Sequence, residues 1–267
     1  MATQFIGAFS IGTTLDRGLR LYKSVLTRVF PFMFIPLMIT YIPYIHDQSA
    51  LHKTSFNRLE AVFLIINIFA GIWAFNITLR YMQKVCLGES PTISEMIGFG
   101  RPKDFALIIT YLIWGMIMMF SIILLILPIF FISNFIMTGL IVAVIERKFF
   151  FSGVSRTFSL IKRRWWKTFA INLISVIIVF VPIVISFTVY GLLLASASTT
   201  PESQAFSPSV FLGLVFYGLV VALSFPAITS ITLVHYNSLR CEKENMDLEN
   251  TIDKMGKSCG SNLSAVQ

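Results

Sequence analysis

FALIITYLIWGMIMMFSIILLILPIFFISNFIMTGLIVAVI, residues 105–145, runs for 41 residues without a formally charged side chain, between Asp104 and Glu146. A helix that crosses the roughly 30 Å hydrocarbon core of a bilayer needs about 20 apolar residues. The stretch therefore has room for two crossings, at 105–127 and 129–145, with a tight turn expected near Pro128 to Asn134. Four further charge-free windows have the same character: 29–45, 61–79, 168–194 and 210–236. Ten-residue alternating segments, the mark of a membrane β-barrel, are absent. The expectation is an all-α integral membrane fold of six transmembrane helices in a single domain over 1–240, followed by a mostly disordered tail over 241–267.

Composition agrees. Hydrophobic residues make up 56% of the 267 residues and charged residues 13%, against about 25% charged in soluble globular domains. Mean hydropathy is +0.79. Phenylalanine alone (26) is twice as frequent as Asp and Glu together (13), which leaves too little polar surface to clothe a soluble fold of this size.

Charge sets the orientation. Lys and Arg cluster before the first span (Arg17, Arg20, Lys23, Arg28), between the second and third (Arg80, Lys84, Arg101, Lys103), between the fourth and fifth (Arg147, Lys148, Arg156, Lys162, Arg163, Arg164, Lys167) and after the sixth (Arg240, Lys243, Lys254, Lys257). The other face has Lys53 and Arg58. The positive-inside rule then puts both termini in the cytoplasm of a multi-pass inner-membrane protein. MATQFIGAFS lacks a basic region followed by an apolar core, so no cleavable signal peptide is expected. Cys86, Cys241 and Cys259 fall on the reducing side without metal-ligand spacing.

Two cytoplasmic segments carry a further pattern. In SGVSRTFSLIKRRWWKTF (152–169), Val154, Phe158, Ile161 and Trp165 form an apolar stripe, with Arg156, Arg163 and Lys167 opposite. Such a helix lies in the headgroup plane, with Trp165 and Trp166 at the depth of an aromatic belt. In TTLDRGLRLYKSVLTRVF (13–30), Leu15, Leu19, Tyr22 and Leu26 repeat the spacing, and a shift of 139 residues superposes the two stripes and puts Arg17 on Arg156, Lys23 on Lys162 and Arg28 on Lys167. An internal repeat of interfacial helix plus hairpin is expected, with SPTISEMIGFGRPKDF (90–105) as a degenerate third copy. Headgroup-binding candidates are Arg17, Arg20, Lys23, Arg156, Lys162, Arg163, Arg164 and Lys167, with Tyr22, Trp165 and Trp166 as interfacial anchors. A Lys or Arg near an anionic leaflet contributes about 1 kcal/mol.

Chemistry inside the bilayer is sparse. No ionisable residue stands at mid-span, and HExxH, GxSxG and Gly-rich nucleotide motifs are missing. His46, Asp47 and His52 are irregularly spaced on the outer face and do not suggest a metal site. Asn67, Asn76, Asn134, Asn172, Ser175, Ser186, Thr188, Thr229, Ser230 and Thr232 lie within spans. They are expected to bond between helices, at about 0.6 kcal/mol each. Pro31, Pro36, Pro43, Pro182 and Pro226 are expected to bend their helices, which leaves open a cavity or a gate, but proline is tolerated in membrane helices anyway and gating does not follow from it alone.

DRGLRLYK (16–23), VIERKFFFSGVSRTFSLIKRRWWKTF (144–169) and FPAITSITLVHYNSLRCEKENMDLE (225–249) together resemble a family of bacterial inner-membrane proteins of unknown function, related to the membrane domain of glycerophosphoryl diester phosphodiesterase. The resemblance implies a six-span inner-membrane protein. Some relatives are fused to a phosphodiesterase domain, and no segment here is built to hold one, so that activity is not carried over. Nor does the family supply catalytic residues to transfer. The leading expectation is a non-enzymatic envelope- or lipid-associated scaffold that engages anionic lipid or a membrane or cytoplasmic protein partner, without cofactor, metal or nucleic acid. A transporter, permease component or channel for a neutral or lipidic solute is the alternative, and a membrane-embedded enzyme ranks third.

Overall fold

The structure, a computed structural model, describes residues 5–46, 58–99, 109–113, 115–116, 126–198 and 208–244. All of its regular elements are helices: α1 Ile11–His46, α2 Arg58–Cys86, α3 Ile93–Phe99, α4 Ile126–Ile145, α5 Phe150–Ile161, α6 Trp165–Ser198 and α7 Pro208–Glu244, with helical turns at 109–113 and 115–116. Among the described residues four stretches are long and apolar enough to cross a membrane: Ile11–Ile39, Ile65–Cys86, Trp165–Ser196 and Pro208–Glu244. Phe135–Ile145 is a shorter apolar stretch. This is a helical membrane protein. The lipid-facing surfaces are plainly apolar, with Phe180, Phe187, Leu192 and Leu212 each about 60% exposed or more.

Local sequence explains the ends of the elements. The Ser10 hydroxyl accepts from the Thr13 amide and caps α1. Before α3, the Thr92 amide donates to Glu95 Oε2 at 2.9 Å, half of a capping box. Gly88, at φ 87°, ends α2 in the left-handed conformation that glycine adopts without penalty.

Contacts between helices fix their directions. Gly18 of α1 lies against Ile231 of α7, and the Phe9 amide reaches Ser238 Oγ, so α1 and α7 are antiparallel. Arg28 bonds Tyr81 and Phe32 meets Trp73, so α1 and α2 are antiparallel too. Gly213 packs on Leu193, and Thr168 bonds His235, which opposes α6 to α7. The C-termini of α2, α4 and α7 meet through Gln83–Asn237 and Glu146–Tyr236. Apart from Gly213–Leu193, which lies at the opposite end of α6 and α7, these junctions lie toward one end, which also carries the basic residues.

That end holds the core. Leu21, Val25, Ile77, Met82, Val142, Leu160, Leu233 and Tyr236 are buried there. Helix length supplies the reason. At 1.5 Å per residue, the 36 residues of α1 span about 54 Å, well beyond a ~30 Å hydrocarbon core. The overhanging ends are sealed from water, where burying one such side chain contributes about 1.5–3 kcal/mol. Lipid tails are as apolar as leucine, so no comparable force draws the opposite halves together.

Several expectations change. Residues 128–134 are helical within α4 rather than a turn. Most of the expected span 105–127 lies outside the described residues, as do Asp47, His52 and Cys259. Residues 241–244 continue α7 instead of starting a disordered tail, and 245–267 lie outside the description. The intramembrane hydroxyls and Asn76 turn inward on their own helices. Asn76 bonds the Ile72 carbonyl, Ser175 that of Ile171, Thr229 that of Phe225 and Thr232 that of Ile228. A Ser or Thr side chain reaches the carbonyl three or four residues back more readily than a neighbouring helix.

Candidate functional site

The basic end is built around Glu146, which follows α4. Arg156 of α5 grips it with both arms of its guanidinium, Nε to Oε2 at 2.7 Å and Nη2 to Oε1 at 2.9 Å. The Tyr236 hydroxyl of α7 donates to Oε1 at 2.6 Å, and Lys148 Nζ stands 3.3 Å from Oε2. Arg156 also pairs with Glu244, which in turn takes the Arg240 guanidinium at 3.0 Å. Burial pushes the Glu146 carboxyl upward, but the bonds from Arg156, Tyr236 and Lys148 outweigh it and hold the group below the ordinary glutamate range. The same exchange raises Arg156: desolvation works against its charge, and the two carboxylates more than offset it.

A second ion cluster lies beside the first. Glu242 accepts from Lys167 and is ion-paired with Arg164 at 2.9 Å. Lys243 Nζ reaches the carbonyls of Ser159 and Lys162, where α5 ends and its orphaned oxygens favour a cation. The C-terminal turns of α7 thus clamp α5 from its middle to its end. None of Tyr236, Glu242, Glu244 or Gln83 figured among the expected functional residues. The signal available was the alternation of charge in RCEKE (240–244), which complements the basic loop.

The sequence-derived candidates separate into distinct groups. Arg156 and Lys167 are mostly buried and paired inward, not arrayed on an open face. The expected continuous helix over 152–169 breaks at Lys162, whose backbone leaves helical geometry, and at Arg163, which adopts φ 72°. Arg163 and Lys167 consequently do not share a helix face with Arg156. Arg164 is paired with Glu242 but 56% exposed. Lys162 and Arg163 are exposed and have no ion-pair partner among the described residues. Lys23 is exposed on α1, Arg20 pairs with Asp16 at 2.9 Å, and Arg17 lies over the Phe9 ring at 3.8 Å.

The expected apolar stripe is divided: Val154 and Phe158 face away from the protein, Ile161 is buried in it and Trp165 is half-buried. Phe151 is 92% exposed, and Val154 and Phe158 are exposed as well, whereas Gly153, Thr157, Leu160 and Ile161 turn inward. Trp166 is 76% exposed, while Trp165 stacks on Phe169 at 5.4 Å. Tyr22 is half-buried on α1. The 139-residue shift also relates the inward faces: buried Thr14, Gly18 and Leu21 on α1 correspond to buried Gly153, Thr157 and Leu160 on α5. The two segments differ in continuity, since α1 runs unbroken into its apolar stretch.

Away from the basic end, a cavity of about 430 Å³ lies among α1, α2, α4, α7 and the helical turns near Tyr111. Among the described residues no group of three or more His, Cys, Asp or Glu is placed to hold a metal ion. Comparison with family models, curated proteins and solved structures finds no match to this chain.

Proposed function

We propose that this is a non-enzymatic multi-pass protein of a bacterial inner membrane, with six spans and both termini cytoplasmic, whose basic end engages anionic lipid headgroups. The observation that carries the reading is the pairing of Lys162 and Arg163, exposed and without a carboxylate partner, with the outward apolar surface of Phe151, Val154, Phe158 and Trp166. Apolar side chains that enter the acyl boundary beside cations at headgroup level are the physical signature of an interfacial helix. The resemblance of three segments to the inner-membrane family supports the location. Helix directions support the span count, since α2 and α4 both end at the basic end.

Retention of anionic lipid in native nanodiscs tests the proposal. Wild-type protein should co-purify with anionic lipid above its bulk fraction, and Lys162→Glu with Arg163→Glu should bring it down to bulk. Retention that is unchanged in the double variant would remove the headgroup role and leave a cytoplasmic protein partner as the use of these charges. Transport of a neutral or lipidic solute is a second reading, favoured by the cavity among α1, α2, α4 and α7.

A further inference from the structure

From the cavity among α1, α2, α4 and α7, we infer a binding site for a neutral, carbonyl-bearing lipid that enters sideways from the bilayer, a role separate from headgroup binding at the basic end. Its volume, about 430 Å³, falls within the range of small-molecule sites. Met33, Phe75, Met137 and Phe225 give it an apolar wall, and none of the described residues that line it is charged. Phe225 and Ile68, both on its lining, are 49% and 45% exposed on the lipid-facing surface, so the mouth opens toward the hydrocarbon rather than toward water. A second cavity of about 390 Å³ between α1 and α2 shares Pro36 and Asn67 with the first and extends the groove along the proline-bearing part of α1.

Depth and polarity define the occupant. Thr229 precedes Tyr236 by seven residues, and Phe75 precedes Gln83 by eight, which puts the cavity about 10–12 Å above the polar layer of the basic end, at 1.5 Å per residue. At that depth water does not satisfy polar groups, yet the Tyr111 hydroxyl is buried there with no hydrogen-bond partner among the described residues. Tyr111 lines the cavity and is held edge-on against Phe75, with ring centroids 5.9 Å apart. A phenol in a dry site needs an acceptor for its proton. The hydroxyls of Thr229 and Thr232 donate to carbonyls of their own helix, and neither accepts from Tyr111. A ligand carbonyl oxygen meets the requirement, and the uncharged wall excludes an ionised headgroup.

Photolabelling of the full chain in phosphatidylcholine nanodiscs tests this, with a monoacylglycerol that bears a diazirine near its ester and, in parallel, a diazirine-bearing alkane. The monoacylglycerol should label the segments around Met33–Leu37 and Met137–Ile141. Gly71→Leu, at a lining position where an added Cβ meets nothing within 4 Å, should fill the cavity and cut labelling by both probes at least tenfold while the protein stays folded. Tyr111→Phe keeps the volume and should cut monoacylglycerol labelling about fivefold, the worth of one neutral hydrogen bond, with no change for the alkane. Labelling that spreads over the lipid-facing part of α6 and ignores Gly71→Leu would mean ordinary annular lipid and overturn the site. An equal response of both probes to Tyr111→Phe would overturn the carbonyl assignment.

Discussion

Gly18 of α1 and Ile231 of α7 meet backbone to side chain. A Cβ added at Gly18 would stand 2.6 Å from Ile231 Cα and 2.7 Å from its Cγ1. No rotamer change relieves a clash with a Cα, so the two helices would have to part. Gly18→Ala should therefore cost about 1–3 kcal/mol, measured by thermal unfolding in nanodiscs. Gly12→Ala on the same helix is the control. Its Cβ meets nothing within 4 Å, and removal of a helix glycine should leave stability unchanged or raise it by about 0.5–1 kcal/mol.

The bidentate grip of Arg156 on Glu146 is the joint between α4 and α5. Breaking a buried pair by removing one partner costs about 3–5 kcal/mol, and partial solvent access at this site brings the expectation for Glu146→Gln nearer 2–3. Tyr236→Phe deletes a hydrogen bond to a charged acceptor and should cost about 1.5–3 kcal/mol. Because all three groups share one carboxylate, Glu146→Gln combined with Tyr236→Phe should fall well short of the sum of the two single effects. Additive losses would show that Tyr236 stabilises the fold by some other contact.

Acid should loosen the same joint. A carboxyl held below its unfolded value stabilises the fold at pH above that unfolded value, and the contribution disappears as pH falls through the lower, folded value. For Glu146, full stability is present above the ordinary glutamate range, around 4.3, and is lost progressively on the acid side of it. Unfolding midpoints followed from pH 7 to pH 3 should drop for the wild type. Glu146→Gln, already weakened at neutral pH, should drop less over the same interval. Parallel profiles would place the acid-sensitive group elsewhere.

Why some of this was legible in the sequence and some was not has a physical basis. Membrane class follows from charge-free windows because the cost of burying charge in hydrocarbon is paid residue by residue, in the local sequence. The interfacial stripe on 152–169 was legible only in part: Val154 and Phe158 stand exposed as an outward apolar face requires, whereas Ile161, in register with them, turns into the core. Orientation of the basic side chains depends on partners far along the chain. Arg156 looks like any exposed arginine until α7 brings Glu244 beside it, 88 positions later, and nothing in residues 152–169 announces that Lys167 will meet Glu242. The break at residues 162–164 was likewise invisible, since KRR continues a helical pattern as readily as it ends one.

That break yields the last prediction. Arg163 adopts φ 72°, a conformation that costs a residue with a Cβ about 1–2 kcal/mol. Glycine relieves the strain and gives back part of the gain through its freer unfolded chain, so Arg163→Gly should stabilise the protein by about 0.5–1 kcal/mol. The same change removes one of the two exposed cations at the end of α5. If the strained arginine is kept for its charge, the variant should melt higher and retain less anionic lipid, a pairing in the manner of strain held at functional sites. Arg147, at φ 54°, supplies the comparison, because its glycine variant relieves similar strain outside the Lys162–Arg163 pair. Higher melting for both glycine variants, with lipid retention lowered at residue 163 and kept at 147, is the expected result. Equal retention in the two would mean that the strain at Arg163 serves only the break between α5 and α6.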